Sequence, residues 1–177
     1  MADLAQRDIA MHNHLIYRRA TPADLICICQ LGNEINQLHH ARFPQLFAAV
    51  NELDRDAAHW HAAIAEGACF VAELEHESSI IGFISAQIGQ ETASMLQPQS
   101  FCRIATVCVS EVYRGRGIGT QLMHHVEQWA TAQHCAEIRL NVFEFNQQAI
   151  ALYQELGFAV RVLAMSKSLV VAPQATL

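Results

Sequence analysis

Apolar and polar residues change rhythm repeatedly along the chain, and each rhythm predicts an element. HLIYRRA (14–20) alternates, as a strand does. Thr21-Pro22-Ala23-Asp24 then supplies a capping threonine, a proline in the first turn and an acid three residues after the cap, which together predict a helix start. Leu25, Ile28, Cys29, Ile35 and Leu38 carry that helix as a stripe, interrupted at Gly32 and ending before Pro44. HHARFPQLF is then a loop or a second short turn. In DRDAAHWHAAIAEG apolar residues recur at 57, 60 and 64, with Gly67 as a C-terminal stop. CFVAELE and IIGFISAQI, separated by HESS, read as a β-hairpin.

Beyond the polar stretch ETASMLQPQS, CRIATVCVS predicts another strand. The helix after it keeps Leu122, Met123, Val126, Trp129 and Ala130 on one face. EIRLNVF predicts a strand, NQQAIALYQELG a short helix closed by Gly157, and FAVRVLAMSKSLVV terminal strand material. The order β α α β β β α β α β predicts an α/β fold with a mixed central sheet flanked by helices. Residues 1–13 are assigned to an N-terminal extension, 14–170 to a single domain and 171–177 to a C-terminal tail.

Composition narrows the function more than the fold. With 52% apolar and 16% charged residues in 177, the chain has the makings of a sizeable core. A net charge of −6 argues against non-specific nucleic-acid binding, so an anionic ligand must be held by a local arrangement. Six cysteines lie mostly within apolar runs, and MADLAQRDIAMHNH has no long apolar core of a secretory signal, so buried reduced thiols in the cytoplasm are expected. No run reaches membrane-spanning length. The histidine pairs 12/14, 39/40, 59/61 and 124/125 lack H-x-x-x-H spacing and a zinc-type cluster, so no intrinsic metal is expected.

YRGRGIGTQL (113–122) is the chemically loaded segment. It sets three glycines and two arginines between a strand and a helix. The first N–H groups of a helix lack intrahelical partners, and the helix dipole makes that end weakly positive. Glycine lets the backbone approach an anion closely, and Arg114 and Arg116 offer charge-assisted contacts, which suits a pyrophosphate. A P-loop would need GK[ST], but Gly119 is followed directly by Thr120; a G-x-G-x-x-G fingerprint starting at Gly115 would put its third glycine at Thr120. The plain alternative is a glycine turn that merely joins strand to helix.

Arg114-x-x-Gly117-x-Gly119 after ATVCVS closely resembles the acetyl-CoA signature of the GNAT superfamily of N-acetyltransferases. LNVFEFNQQAIALYQELGF (140–158) resembles that superfamily's later strand–asparagine–helix segment. The likeness runs from about Leu15 to Leu169. It implies that Val107, Cys108 and Val109 line the pantetheine arm and that the amides of Arg114, Gly115, Arg116, Gly117, Ile118, Gly119 and Thr120 hold the pyrophosphate. It also implies that Asn146 contacts the cofactor and that Tyr153 lies near the thioester sulfur. Asn146 and Tyr153 share a helix face about 10 Å apart along the axis. Their plain readings are a helix N-cap and a core aromatic.

The implied reaction is acetyl transfer from acetyl-CoA to a primary amine, by direct attack in a ternary complex. Tyr153 is the expected acid on the departing sulfur, and a backbone N–H of strand 107–109 the oxyanion donor. A nucleophilic Cys108 is not needed. An alkylammonium has a pKa near 10, so its proton must be removed. Many relatives carry a carboxylate on the strand before the glycine turn; Arg103-Ile104-Ala105-Thr106-Val107 carries none. Glu34, His39, His40, Glu91 or a water chain remain as candidate bases, and each is otherwise an ordinary solvated group. A small-molecule acceptor is expected, with a protein N-terminus or lysine, or a non-catalytic CoA-binding role, as alternatives. VRVLAM also raises a homodimer through edge pairing.

Overall fold

The computed structural model describes residues 15–48, 53–66, 68–167 and 169, and of residues 53–56 only the backbone. The N-terminal extension, the Gly67 stop and the C-terminal tail lie outside the described residues. The chain divides after Asn141 into two compact units.

In the first unit β1 (Leu15–Arg19), β2 (Cys69–Leu74), β3 (Ser79–Gln90), β4 (Ser100–Val109) and β5 (Glu137–Arg139) form one sheet in chain order. Every pairing is antiparallel except the last, which is parallel, so the sheet is mixed. Helices α1 (Leu25–Arg42) and α2 (Leu53–Ala65) precede the β2–β3 hairpin, and α3 (Ile118–Ala132) lies between β4 and β5.

Alternation along β2 sorts its side chains to two faces. Cys69 and Val71 join Phe83, Cys108, Ile28, Leu31, Trp60 and Ile64 in one buried cluster under α1 and α2. Phe70 points the other way, where His125 of α3 stacks over it at 6.1 Å and over Tyr17 at 5.5 Å. The α3 stripe read from the sequence is the buried one: Leu122, Met123, Val126 and Ala130 sink into the sheet, preceded by Ile118. Trp129 is only half-buried.

Gly32 is a contact seat, not an interruption. A Cβ there would lie 3.0 Å from Cζ2 of Trp60, so its absence lets α1 and α2 close over the sheet. Trp60 in turn meets Phe83 edge-on at 5.0 Å. The α1 start is also pinned electrostatically. Arg18 on β1 donates to Asp24 at 2.8 and 2.9 Å and to Glu73 on β2 at 2.6 Å, while Asp24 accepts from the Thr21 backbone.

Two predicted strands are shorter or missing. EIRLNVF pairs only over Glu137–Arg139, because its ladder with β4 extends no further than Phe101–Arg103. FAVRVLAMSKSLVV forms no strand among the described residues, since a strand needs a neighbouring edge and hydrophobic rhythm alone provides none. The second unit holds α4 (Gln147–Glu155), ended by Gly157 at φ +86°, and the extended segment after it.

Candidate active site

The early end of β5 leaves Ile104–Val109 of β4 with no strand on that edge among the described residues. Where β4 ends, a short 3-10 turn (Glu111–Tyr113) leads into the glycines. Gly115 and Gly117 stand at φ +76° and +75°, in the left-handed region that favours glycine, and a Cβ at either would meet nothing within 4 Å. The glycines thus serve backbone direction here. Gly117 is the N-cap of α3 and offers no side chain to its first amides, so the N–H groups at the start of α3 are left for another acceptor.

The arginines are less open than the sequence suggests. Arg114 donates Nε–H to the Val109 carbonyl at 2.9 Å and lies 3.9 Å from Glu34 on α1. Arg116 donates to the Val112 carbonyl at 3.3 Å and sits over the Tyr113 ring at 5.6 Å. Ile118 and Cys108 are buried, so only their backbones can address a ligand. Cys108 donates its thiol to the Leu31 carbonyl at 3.3 Å, and burial pushes that thiol up to about 12. Val107, Val109, Gly119 and Thr120 are half-buried.

In the second unit, Asn146 caps α4: its Oδ1 accepts from the Ala149 N–H at 3.2 Å. Its NH2 group is what remains to address a ligand. Tyr153 is half-buried, with its ring 5.9 Å from Phe158, and burial raises its phenol above 10.0.

The four candidate bases fare unequally. Glu91 accepts from Arg139 at 3.1 Å, an interaction that holds its carboxyl below the usual range and weakens it as a base. His39 and His40 place Nδ1 within hydrogen-bond distance of the Ile35 and Phe47 carbonyls, at 2.8 and 2.7 Å. Glu34 faces Arg114.

A group the sequence reading passed over lies on the α1/α2 face of the sheet. The β3–β4 register slips between Ser85 and Ala86, making Ala105 the extra residue of a bulge. Beside it is a cavity of about 120 Å³ whose polar lining is His59, Glu66, Ser85 and Gln87. His59 and Glu66 are seven residues apart, on one side of α2 and the turn after it. That spacing was legible as a polar face, but the bulge that meets it was not. Among the described residues, no three His, Cys, Asp or Glu side chains gather as metal ligands.

The comparisons with known proteins agree with this architecture. The acetyltransferase (GNAT) family profile matches residues 33–158. Mouse thialysine N-ε-acetyltransferase is 39% identical over 51 residues, which cover 29% of this chain and 30% of the mouse protein. The chain therefore matches less than a third of that relative's length. A mutant of the BH1408 protein from Bacillus halodurans superposes with a TM-score of 0.79 at 24% identity, over 88% of this chain and 99% of that one. AAC(6')-Iy, in complex with the bisubstrate analog CoA-S-monomethyl-acetylneamine, gives 0.67 at 21% identity, over 88% and 99%. These structural likenesses establish the fold, and the profile, spanning most of the chain, establishes the family: the chain belongs to the GNAT acetyltransferase family.

Proposed function

We propose that the chain transfers an acetyl group from acetyl-CoA to a primary amine of a small molecule, by direct attack within a ternary complex. The observation that carries this reading is the junction of β4 and α3. An uncapped helix N-terminus behind two left-handed glycines follows a strand whose edge, past Arg103, has no neighbouring strand among the described residues. Such an edge can receive the extended amide-bearing arm of CoA as a strand would, through the backbone of Val107, Cys108 and Val109. The amides of residues 114–120 then take the pyrophosphate.

Tyr153 is assigned as the acid that protonates the departing thiolate. Burial raises its pKa, so the phenol keeps its proton across the working range. Asn146 is assigned to the cofactor through its NH2 group, and a backbone N–H of 107–109 to the oxyanion. Cys108 has no place as a nucleophile, because a thiol pushed up to about 12 carries almost no thiolate near neutrality. A small-amine acceptor is carried over from the names of the mouse relative and of the conjugate bound to AAC(6')-Iy.

All six cysteines are free thiols, which fits a reducing compartment, and we place the protein in the cytoplasm. No helix among the described residues is long and apolar enough to cross a membrane. The exposed apolar segment after Gly157 suits pairing with a second copy, giving a homodimer.

Thiol release from acetyl-CoA, measured across polyamines, aminoglycosides, amino acids and a basic peptide, tests the reading. Turnover with one small-amine class is expected, and it should collapse in Tyr153→Phe while acetyl-CoA binding by calorimetry persists. Turnover with the peptide alone would transfer the reading to a protein acceptor. Acetyl-CoA binding without turnover on any amine would leave a CoA-binding domain.

A further inference from the structure

Glu34 of α1 and Arg114 of the turn after β4 face each other, with Oε2 and Nη2 3.9 Å apart. A second tie runs beside this one. Three residues earlier on α1, the Leu31 carbonyl accepts the Cys108 thiol of β4 at 3.3 Å. Residues three apart on a helix are neighbours, so one side of α1 is joined twice to the end of the strand that leads into the glycines. The Cys108 thiol lies within reach of both charges: burial raises it most, Glu34 raises it further, and Arg114 pulls it back.

The donors of the Arg114 guanidinium are divided. Nε–H goes to the Val109 carbonyl at 2.9 Å, which fixes the plane of the group. Nη2 is turned toward Glu34. A carboxylate and a phosphate oxygen make the same demand on that end, charge-assisted donation from a planar cation, so they compete for it. Both side chains are about two-fifths exposed, 42% for Arg114 and 41% for Glu34. An ion pair that exposed shifts an equilibrium by no more than about fivefold, which is weak enough for a doubly charged ligand to displace.

We propose that Glu34 is a positioning residue for cofactor entry: it holds the free end of Arg114 until the pyrophosphate of acetyl-CoA takes that end over. The affinity of the glycine turn for its cofactor is thereby set in part from α1. Once the exchange is made, α1 keeps its Cys108 tie and loses its Arg114 tie, so the helix registers that the turn is occupied. The proposal rests on the acetyl-CoA reading above.

Calorimetry of acetyl-CoA binding to the full chain, run as a double-variant cycle over Glu34 and Arg114, tests it. Glu34→Gln, close in shape and at a partly exposed position, should tighten binding about threefold, because the pyrophosphate then meets a guanidinium with no competing carboxylate. In the Arg114→Ala background the same change should leave affinity unaltered. Glu111→Gln removes an exposed carboxylate three residues before Arg114 and should leave affinity nearly unchanged. Glu34→Gln that binds acetyl-CoA no more tightly than wild type overturns the proposal and leaves the acetyl-CoA reading standing. An equal gain without Arg114, or from Glu111→Gln, overturns it too, because either would mark plain repulsion of an anion. A wild-type chain that binds no acetyl-CoA rejects the reading and the proposal together.

Discussion

Arg114 turns back on the strand that delivers it: its Nε–H donates to the carbonyl of Val109, five residues earlier, at 2.9 Å. The side chain thus ties the end of β4 to the start of the glycine turn, at the point where a pyrophosphate is assigned. Arg114→Ala is expected to weaken acetyl-CoA binding about tenfold with little effect on stability, since the side chain is 42% exposed. Arg114→Lys separates bracing from charge. Lysine keeps the cation but cannot place a planar Nε–H on Val109, so it should recover little of the loss. Full recovery in calorimetry would show that only the charge matters.

How far the sequence could be read follows from what each feature depends on. The α3 stripe, the Gly115 and Gly117 turn and the Thr21–Asp24 helix start are local, and each was legible from residues within a few positions. The short β5 and the unpaired terminal segment depend on whether another strand lies alongside, which hydrophobic rhythm does not encode. The cavity depends on a one-residue slip between β3 and β4 that places Ala105 on the same pocket wall as residues of α2, a relationship between segments some forty residues apart. Gly32 was misjudged as a flaw in a stripe because its partner, Trp60, lies on another helix.

Gly117 is constrained by its backbone alone. At φ +75°, with open space around a would-be Cβ, Gly117→Ala should cost about 1–2 kcal/mol through conformation only. Gly117→Asn should cost less, because asparagine visits the left-handed region more readily. Urea denaturation of the two variants checks the order. Equal losses would mean that something other than φ sets the requirement.

Gly89 is constrained by its neighbour instead. A Cβ there would come 2.4 Å from the Phe101 ring, which is 6% exposed and lies under the Arg139 guanidinium at 3.8 Å. The ring cannot yield without disturbing the stretch where β4 and β5 pair. Gly89→Ala should therefore destabilise by about 1–3 kcal/mol, and Gly89→Ala with Phe101→Leu should regain part of it. Thermal unfolding of the single and double variants decides; strict additivity would show that the contact is not the cause.

Three buried thiols predict an alkaline limb. Burial raises Cys69, Cys102 and Cys108 to about 12 in the folded chain. The unfolded thiols ionise near 8.5, so between about pH 9 and 12 the unfolded state releases protons that the folded state retains. The contribution is therefore intact below about pH 8.5 and is lost as pH rises, at up to about 1.4 kcal/mol per pH unit for each thiol. Urea titrations under reducing conditions at pH 8, 9 and 10 should show stability falling steadily, and Cys102→Ala should shallow the slope by about one third. A flat profile over that range would mean that the three thiols are not buried in the folded chain.

The segment after Gly157 carries the case for a second copy. Val160, Val162, Leu163 and Met165 are 73–93% exposed, an unusual density of large apolar side chains for a stretch without a strand partner among the described residues. Val160 and Val162 fall on one side of an extended chain, so pairing against a strand edge would bury both together. Each such side chain contributes about 1.5–3 kcal/mol on full burial, enough in combination to offset an association cost of several kcal/mol. The full chain should sediment as a dimer at micromolar concentration, and Val160→Asp with Val162→Asp should return it to a monomer. Neither residue supports the buried core, so the double variant should keep the thermal midpoint of the concentration-independent monomer transition. A wild-type chain that stays monomeric as concentration rises would remove the dimer and leave these side chains to some other occupant.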